Sequence, residues 1–137
     1  MKTTSLLGML VLIVFLAACG QEKKVETSYL EVKAYQGDRQ EVLKVINKRV
    51  QYFNNRDEEQ YPAVFTSSSS QNNIDAYKGD DTQITVLKNP KFLNESKDQI
   101  AVTVREEYKD SPYGSVGDTV YYLFKQDDGS WLINGLD

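Results

Sequence analysis

Asp, Glu, Lys and Tyr must carry whatever acid-base chemistry this chain performs, because its 137 residues include no histidine and a single cysteine, Cys19. A serine or cysteine nucleophile ordinarily passes its proton to an imidazole, so the usual hydrolytic triads have no base here. Zinc sites built from Cys and His fail on the same count. A disulfide from Cys19 would need a second chain. Among these types, Tyr52, Asp75, Asp81 and Tyr122 are the first candidates for a proton-transfer site. The pairs Asp80-Asp81 and Asp127-Asp128 adjoin glycines and lack the spaced oxygen ligands of a calcium loop, so they read as turns. No metal and no cofactor is expected.

The surroundings of Cys19 say more than its isolation. Lys2 precedes an apolar run from Leu6 to Phe15, and small residues follow in "FLAACGQEKK", the charged, apolar, small-residue order of an export signal. The run is too short to span a bilayer, which takes about 20 residues. Leu16-Ala17-Ala18-Cys19, followed by Gly20, resembles the lipobox of bacterial lipoproteins. That resemblance implies removal of residues 1–18 and a lipid-modified Cys19 as the first mature residue. It also implies a protein tethered to the extracytoplasmic face of the cell membrane. Two acyl chains suffice for such a tether, since each buried CH2 contributes about 0.8 kcal/mol and one chain alone is marginal.

Removing residues 1–18 takes away one cation, Lys2, and moves the formal charge from -4 to -5. An acidic chain without a basic stripe is not expected to bind nucleic acid. Residues 19–37 open with Glu22, Lys23, Lys24 and Glu26 and are expected to be a spacer, with Tyr29, Leu30, Val32 and Tyr35 available to dock as a strand or helical turn.

From residue 38 a single folded unit is expected, running to residue 137. Asp38 and Glu41 stand at capping-box spacing. Val42, Leu43, Ile46, Val50 and Phe53 then form one apolar stripe about 100° wide, predicting a helix that ends near Asn54-Asn55. "RDEEQYPAVF" restarts a helix with Asp57 as its N-cap, shortened by Pro62. Ser67 to Ser70 begin a polar loop. Beyond Asp81 the pattern is of strands: Gln83 to Phe92, then Ile100 to Tyr108 with the clearest alternation, then Thr119 to Lys125 and Trp131 to Leu136. The fold class is therefore α+β, with N-terminal helices on an antiparallel sheet.

"VINKRVQYFNNRDEEQYPAVFTSSS" together with "VYYLFKQDDGSWLI" resembles the nuclear transport factor 2-like superfamily, also called cystatin-like. The likeness covers roughly residues 38–137 and implies a curved, cone-shaped sheet with a pocket at its open end. On that footing Tyr52, Phe65, Asp75, Tyr77, Tyr122 and Trp131 are candidate pocket-lining residues, although Phe65, Phe92 and Trp131 would instead plug the cone if they point inward. Tyr121 and Leu123, if outward, would give an apolar face for a partner. The superfamily contains enzymes and many binding modules, so fold alone does not choose between them. The expected function is a non-catalytic binding or interaction module of the cell envelope, taking an envelope protein, a small apolar ligand or a second copy of itself. The alternative is an isomerase- or cyclase-type proton-transfer enzyme using a buried Asp and Tyr.

Overall fold

The structure is a computed structural model that describes residues 25–70, 73 and 81–137. Helix α1 spans Gly37–Asn55. Val42, Leu43, Ile46, Val50 and Phe53 are all buried on one side of it, while Lys44, Lys48 and Gln51 face water. The apolar stripe thus sets which side of the helix meets the sheet. Arg56 ends the helix in the left-handed conformation, φ 55°, with its N–H returning to the carbonyls of Tyr52 and Phe53. The N-terminus departs from expectation. Gln36 is the N-cap without a side-chain bond, and Asp38, inside the first turn, reaches across to the sheet instead of capping. It accepts from Lys125 Nζ at 3.0 Å and from Trp131 Nε1 at 3.0 Å.

Four antiparallel strands in the order β1-β2-β3-β4 make the sheet: β1 Gln83–Glu95, β2 Gln99–Lys109, β3 Val116–Lys125 and β4 Trp131–Leu136. Irregularities in the β1-β2 register fall between Ile84 and Val86, Lys88 and Lys91, and Phe92 and Asn94. Asn89 takes a left-handed φ of 54° just before Pro90, which cannot donate to the ladder, so the long strand bends there instead of breaking. One sheet face packs on α1 through Ile84, Leu87, Ile100, Val102, Val104, Tyr121, Leu123, Trp131 and Ile133, all buried. Among the described residues no helix is long and apolar enough to cross a membrane.

Three segments differ from the sequence reading. Asp57 does accept from the N–H of Gln60 at 2.9 Å, but the chain then forms a turn and a 3-10 turn at Pro62–Val64 rather than a second α-helix. Ser67 to Ser70, expected as loop, are helical, with the N–H of Ser70 bonded to the Thr66 carbonyl at 2.9 Å. The segment before residue 38 is part of the fold rather than a free spacer. Ser28 bridges Val86 in parallel, giving its N–H to Thr85 O at 2.9 Å and accepting from Leu87 N–H at 2.7 Å. Leu30 is buried, and Asn47 pairs with its backbone in both directions at 3.0 Å.

Candidate functional site

Along β2 the inward row Ile100, Val102, Val104 continues in phase to Glu106 and Tyr108, because alternate residues of a strand share a face. Glu106 is therefore driven into the core, where it is 2% exposed. Arg49, 8% exposed, enters from the edge of the apolar stripe of α1, and Tyr121 enters from β3. A buried charge is tolerated only when paired and hydrogen-bonded. Here the Tyr121 hydroxyl donates to Glu106 Oε1 and the Tyr108 hydroxyl donates to Oε2 at 2.9 Å. Arg49 Nη1 lies 3.7 Å from Oε1 and donates to the Tyr121 oxygen at 3.3 Å. The guanidinium also sits over two rings, 5.1 Å from the Phe53 centroid and 5.9 Å from that of Tyr121.

Burial works against the Arg49 charge, but Tyr121, Tyr61 and Glu106 outweigh it and hold its pKa above the ordinary value. Burial, reinforced by the Glu106 charge, pushes the Tyr108 hydroxyl up to about 12 and that of Tyr121 well above its usual range. Both phenols keep their protons at neutral pH. Arg49 Nε is buried and makes no hydrogen bond.

Beside this network opens a cavity of about 470 Å³. Phe53, Tyr61, Ile84, Tyr108, Val116 and Leu136 supply apolar surface, Arg49 and Glu106 the charged floor, and Thr82, Tyr113, Asp118 and Thr119 are among the other lining residues. Its size lies within the usual range for small-molecule sites, about 300 to 1,000 Å³. Gly117 belongs to the wall, where a Cβ would stand 3.4 Å from the Tyr108 ring. Arg56 contacts two lining residues, donating to the Thr82 carbonyl at 2.9 Å with its guanidinium 4.9 Å from the Phe53 ring.

The residues expected from sequence stand elsewhere. Tyr122 is a correction: it lies 41% exposed on the opposite sheet face, since its neighbour Tyr121 takes the inward position. There it borders a separate groove with Ile100, Ala101 and Phe124. Tyr121 and Leu123 do not face outward; both are fully buried. Phe65 and Trp131 are core residues, Phe65 bridging Ile133 on the open edge of β4. Phe92 is half-buried against Tyr35, their centroids 5.7 Å apart. Tyr52 is half-buried at the margin of the core and Asp81 is exposed just before β1. Cys19, Asp75 and Tyr77 lie outside the described residues. Among the described residues no three His, Cys, Asp or Glu side chains gather as metal ligands.

Sequence reasoning passed over Arg49, Glu106, Tyr108 and Tyr121, yet two signals mark them. Glu106 is an acid in phase with the inward row of the most regular strand, and Arg49 is a cation flanking the apolar stripe of α1. Two opposite charges on two buried faces of one small domain must find each other.

No protein-family model matches the sequence, and no curated protein does so. Solved structures do match in shape. A Nostoc punctiforme protein of unknown function with a cystatin-like fold aligns over 80% of this chain and 92% of its own, with 10% identity and TM-score 0.60. Bd1075 of Bdellovibrio bacteriovorus aligns over 72% of this chain and 40% of its own, with 18% identity and TM-score 0.58. A Shewanella oneidensis NTF-2-like protein of unknown function aligns over 70% of this chain and 93% of its own, with 17% identity and TM-score 0.53. At these identities the likeness is one of fold: an α+β domain similar to cystatin-like and NTF-2-like proteins.

Proposed function

We propose that this chain is a lipid-anchored, extracytoplasmic binding module of the cell envelope whose cavity takes a small, largely apolar ligand without transforming it. The observation that carries this reading is the engagement of Glu106. Each of its carboxylate oxygens already accepts a phenol proton and the Arg49 guanidinium stands 3.7 Å away, contacts that stabilise the ionised form and weaken it as a base toward a substrate. The apolar walls bind, and the polar floor orients. The lipobox residues around Cys19 support the anchor.

The cavity is tested with 1-aminoanthracene, a neutral fluorescent probe. The wild type should bind it saturably, and Thr119→Phe, which projects a ring into the lining, should weaken binding at least tenfold. Absence of saturable binding, or binding indifferent to Thr119→Phe, would sink the reading. The anchor is tested by mass spectrometry and membrane fractionation of Cys19→Ser, which should lose both lipid and membrane.

One observation favours the second reading, a proton-transfer enzyme: a buried carboxylate, bonded to two phenols, borders a ligand-sized cavity. Deuterium exchange into 3-cyclohexenone in D2O, catalysed by the wild type and lost in Glu106→Gln, would establish it in place of the first.

A further inference from the structure

We propose that the cavity end of the domain is held against the bilayer, with the β2-β3 hairpin tip resting in the membrane interface. This rests on the lipid-anchor reading above. The first described residue is Val25, so only Gly20 to Lys24, five residues, separate it from Cys19. At no more than about 3.6 Å per residue their reach is roughly 20 Å. A domain of this size has a radius of gyration of about 13 Å, hence a diameter of roughly 35 Å. The tether is shorter than the body it holds, so its exit point decides which end meets the lipid.

That exit point is fixed by hydrogen bonds. Ser28 pairs in parallel with Val86, so the chain read backwards from Ser28 runs toward the start of β1. Thr27 Oγ1 donates to the Ile84 carbonyl at 3.2 Å, and Asn54, near the end of α1, donates to both Thr27 Oγ1 and that carbonyl. Ile84 is itself a wall of the cavity. The start of β1, the end of β2 and the start of β3 lie at one end of an antiparallel sheet. The tether and the cavity therefore share an end. The turn between β1 and β2, with Lys97, is at the other.

At the shared end the tip between β2 and β3 exposes Tyr113 by 94% and Val116 by 44%, and both line the cavity. An aromatic ring with a polar end suits the headgroup region. The nearby charges do not recruit the tip. Lys109 and Asp110 stand 3.9 Å apart and offset one another, while Asp81 and Asp137 are acidic. Contact is made through the acyl anchor and the tyrosine, and the cavity then draws its ligand from the lipid surface.

The test uses the full lipidated protein in vesicles of phosphatidylcholine and phosphatidylglycerol at 3:1 containing brominated acyl chains. A bimane label at Ser115→Cys should be quenched at least twofold relative to unbrominated vesicles. The same label at Lys97→Cys should not respond, and adding Tyr113→Asp should remove at least half of the quenching at position 115. Equal quenching at both positions, none at 115, or indifference to Tyr113→Asp would overturn the orientation. Sedimentation of the labelled protein with the vesicles separates the two failures. Protein that stays bound with position 115 dry loses this proposal alone, whereas protein that never binds loses the anchor as well.

Discussion

Arg49 and Glu106 approach to 3.7 Å across the interface between helix and sheet, with the Tyr121 hydroxyl bonded to both. The contact joins the two layers of the domain through charge. Truncating one partner strands the other, which costs about 3 to 5 kcal/mol. Arg49→Leu and Glu106→Leu should each lose stability on that scale in urea denaturation. The double variant should lose less than the two together, leaving a coupling of about 1 to 3 kcal/mol. Additive losses would show that the two charges are not energetically paired.

The two phenols give the site a signature in alkali. Both are held above the ordinary tyrosine pKa, Tyr108 up to about 12, so the folded state keeps protons that the unfolded chain has released. Their contribution to stability is intact below about pH 10 and is lost as pH rises from there through the folded values. Denaturation midpoints should fall between pH 10 and 12, and Tyr108→Phe should flatten part of that slope. At neutral pH Tyr121→Phe should cost about 1 to 3 kcal/mol, because it leaves the buried Glu106 Oε1 without its phenol donor.

At the far end of the domain the chain provides its own reporter. Trp131 is the single tryptophan, and its indole N–H is held by Asp38. Hydrogen bonds from Lys125 and Trp131 place the Asp38 pKa below its usual value. The stability that this carboxylate contributes is present above its unfolded pKa of about 4 and lost as pH falls through the depressed one. Tryptophan emission should therefore show a transition below pH 4 that is missing in Asp38→Asn. A wild type with no such transition would mean that the indole bond does not follow the carboxylate.

Asn54 ties three segments together. Its amide donates to Thr27 and to the Ile84 carbonyl, and its oxygen accepts from the Ile84 N–H at 2.9 Å. Asn54→Ala should cost about 1 to 3 kcal/mol. Amide exchange at Ser28 and Leu87 should accelerate along with it, since their mutual pairing depends on that anchorage. Unchanged exchange would show that the N-terminal segment docks independently of the helix.

The extent to which the sequence disclosed this arrangement follows from which patterns are local. The stripe of α1, the alternation of β2 and the turn before Trp131 are read from neighbours in the chain, and the structure has them within a few residues of expectation. Asp38 was misread because a capping box is a local motif while its actual partners, Lys125 and Trp131, are far along the chain. Tyr122 was misplaced for a related reason: two adjacent tyrosines face opposite ways, and only the phase of Leu123 and Ile133 decides which is inside. Arg49 falls only about 20° from Val42 on the helix at 100° per residue, so it was legible in principle. Counting apolar residues alone hides a cation that shares their face.

The bridge between Ser28 and Val86 also has a mechanical meaning. Residues 25–28 run along the axis of β1, so tension on the proposed anchor would load the Ser28 N–H to Thr85 bond and the Leu87 N–H to Ser28 bond side by side instead of peeling them in turn. A strand pulled lengthwise resists better than one pulled sideways. The join by which the envelope would hold this domain is thus oriented to bear force, and the cavity, whose wall at Ile84 shares Asn54 with that join, sits beside the part of the molecule where a pull is first felt.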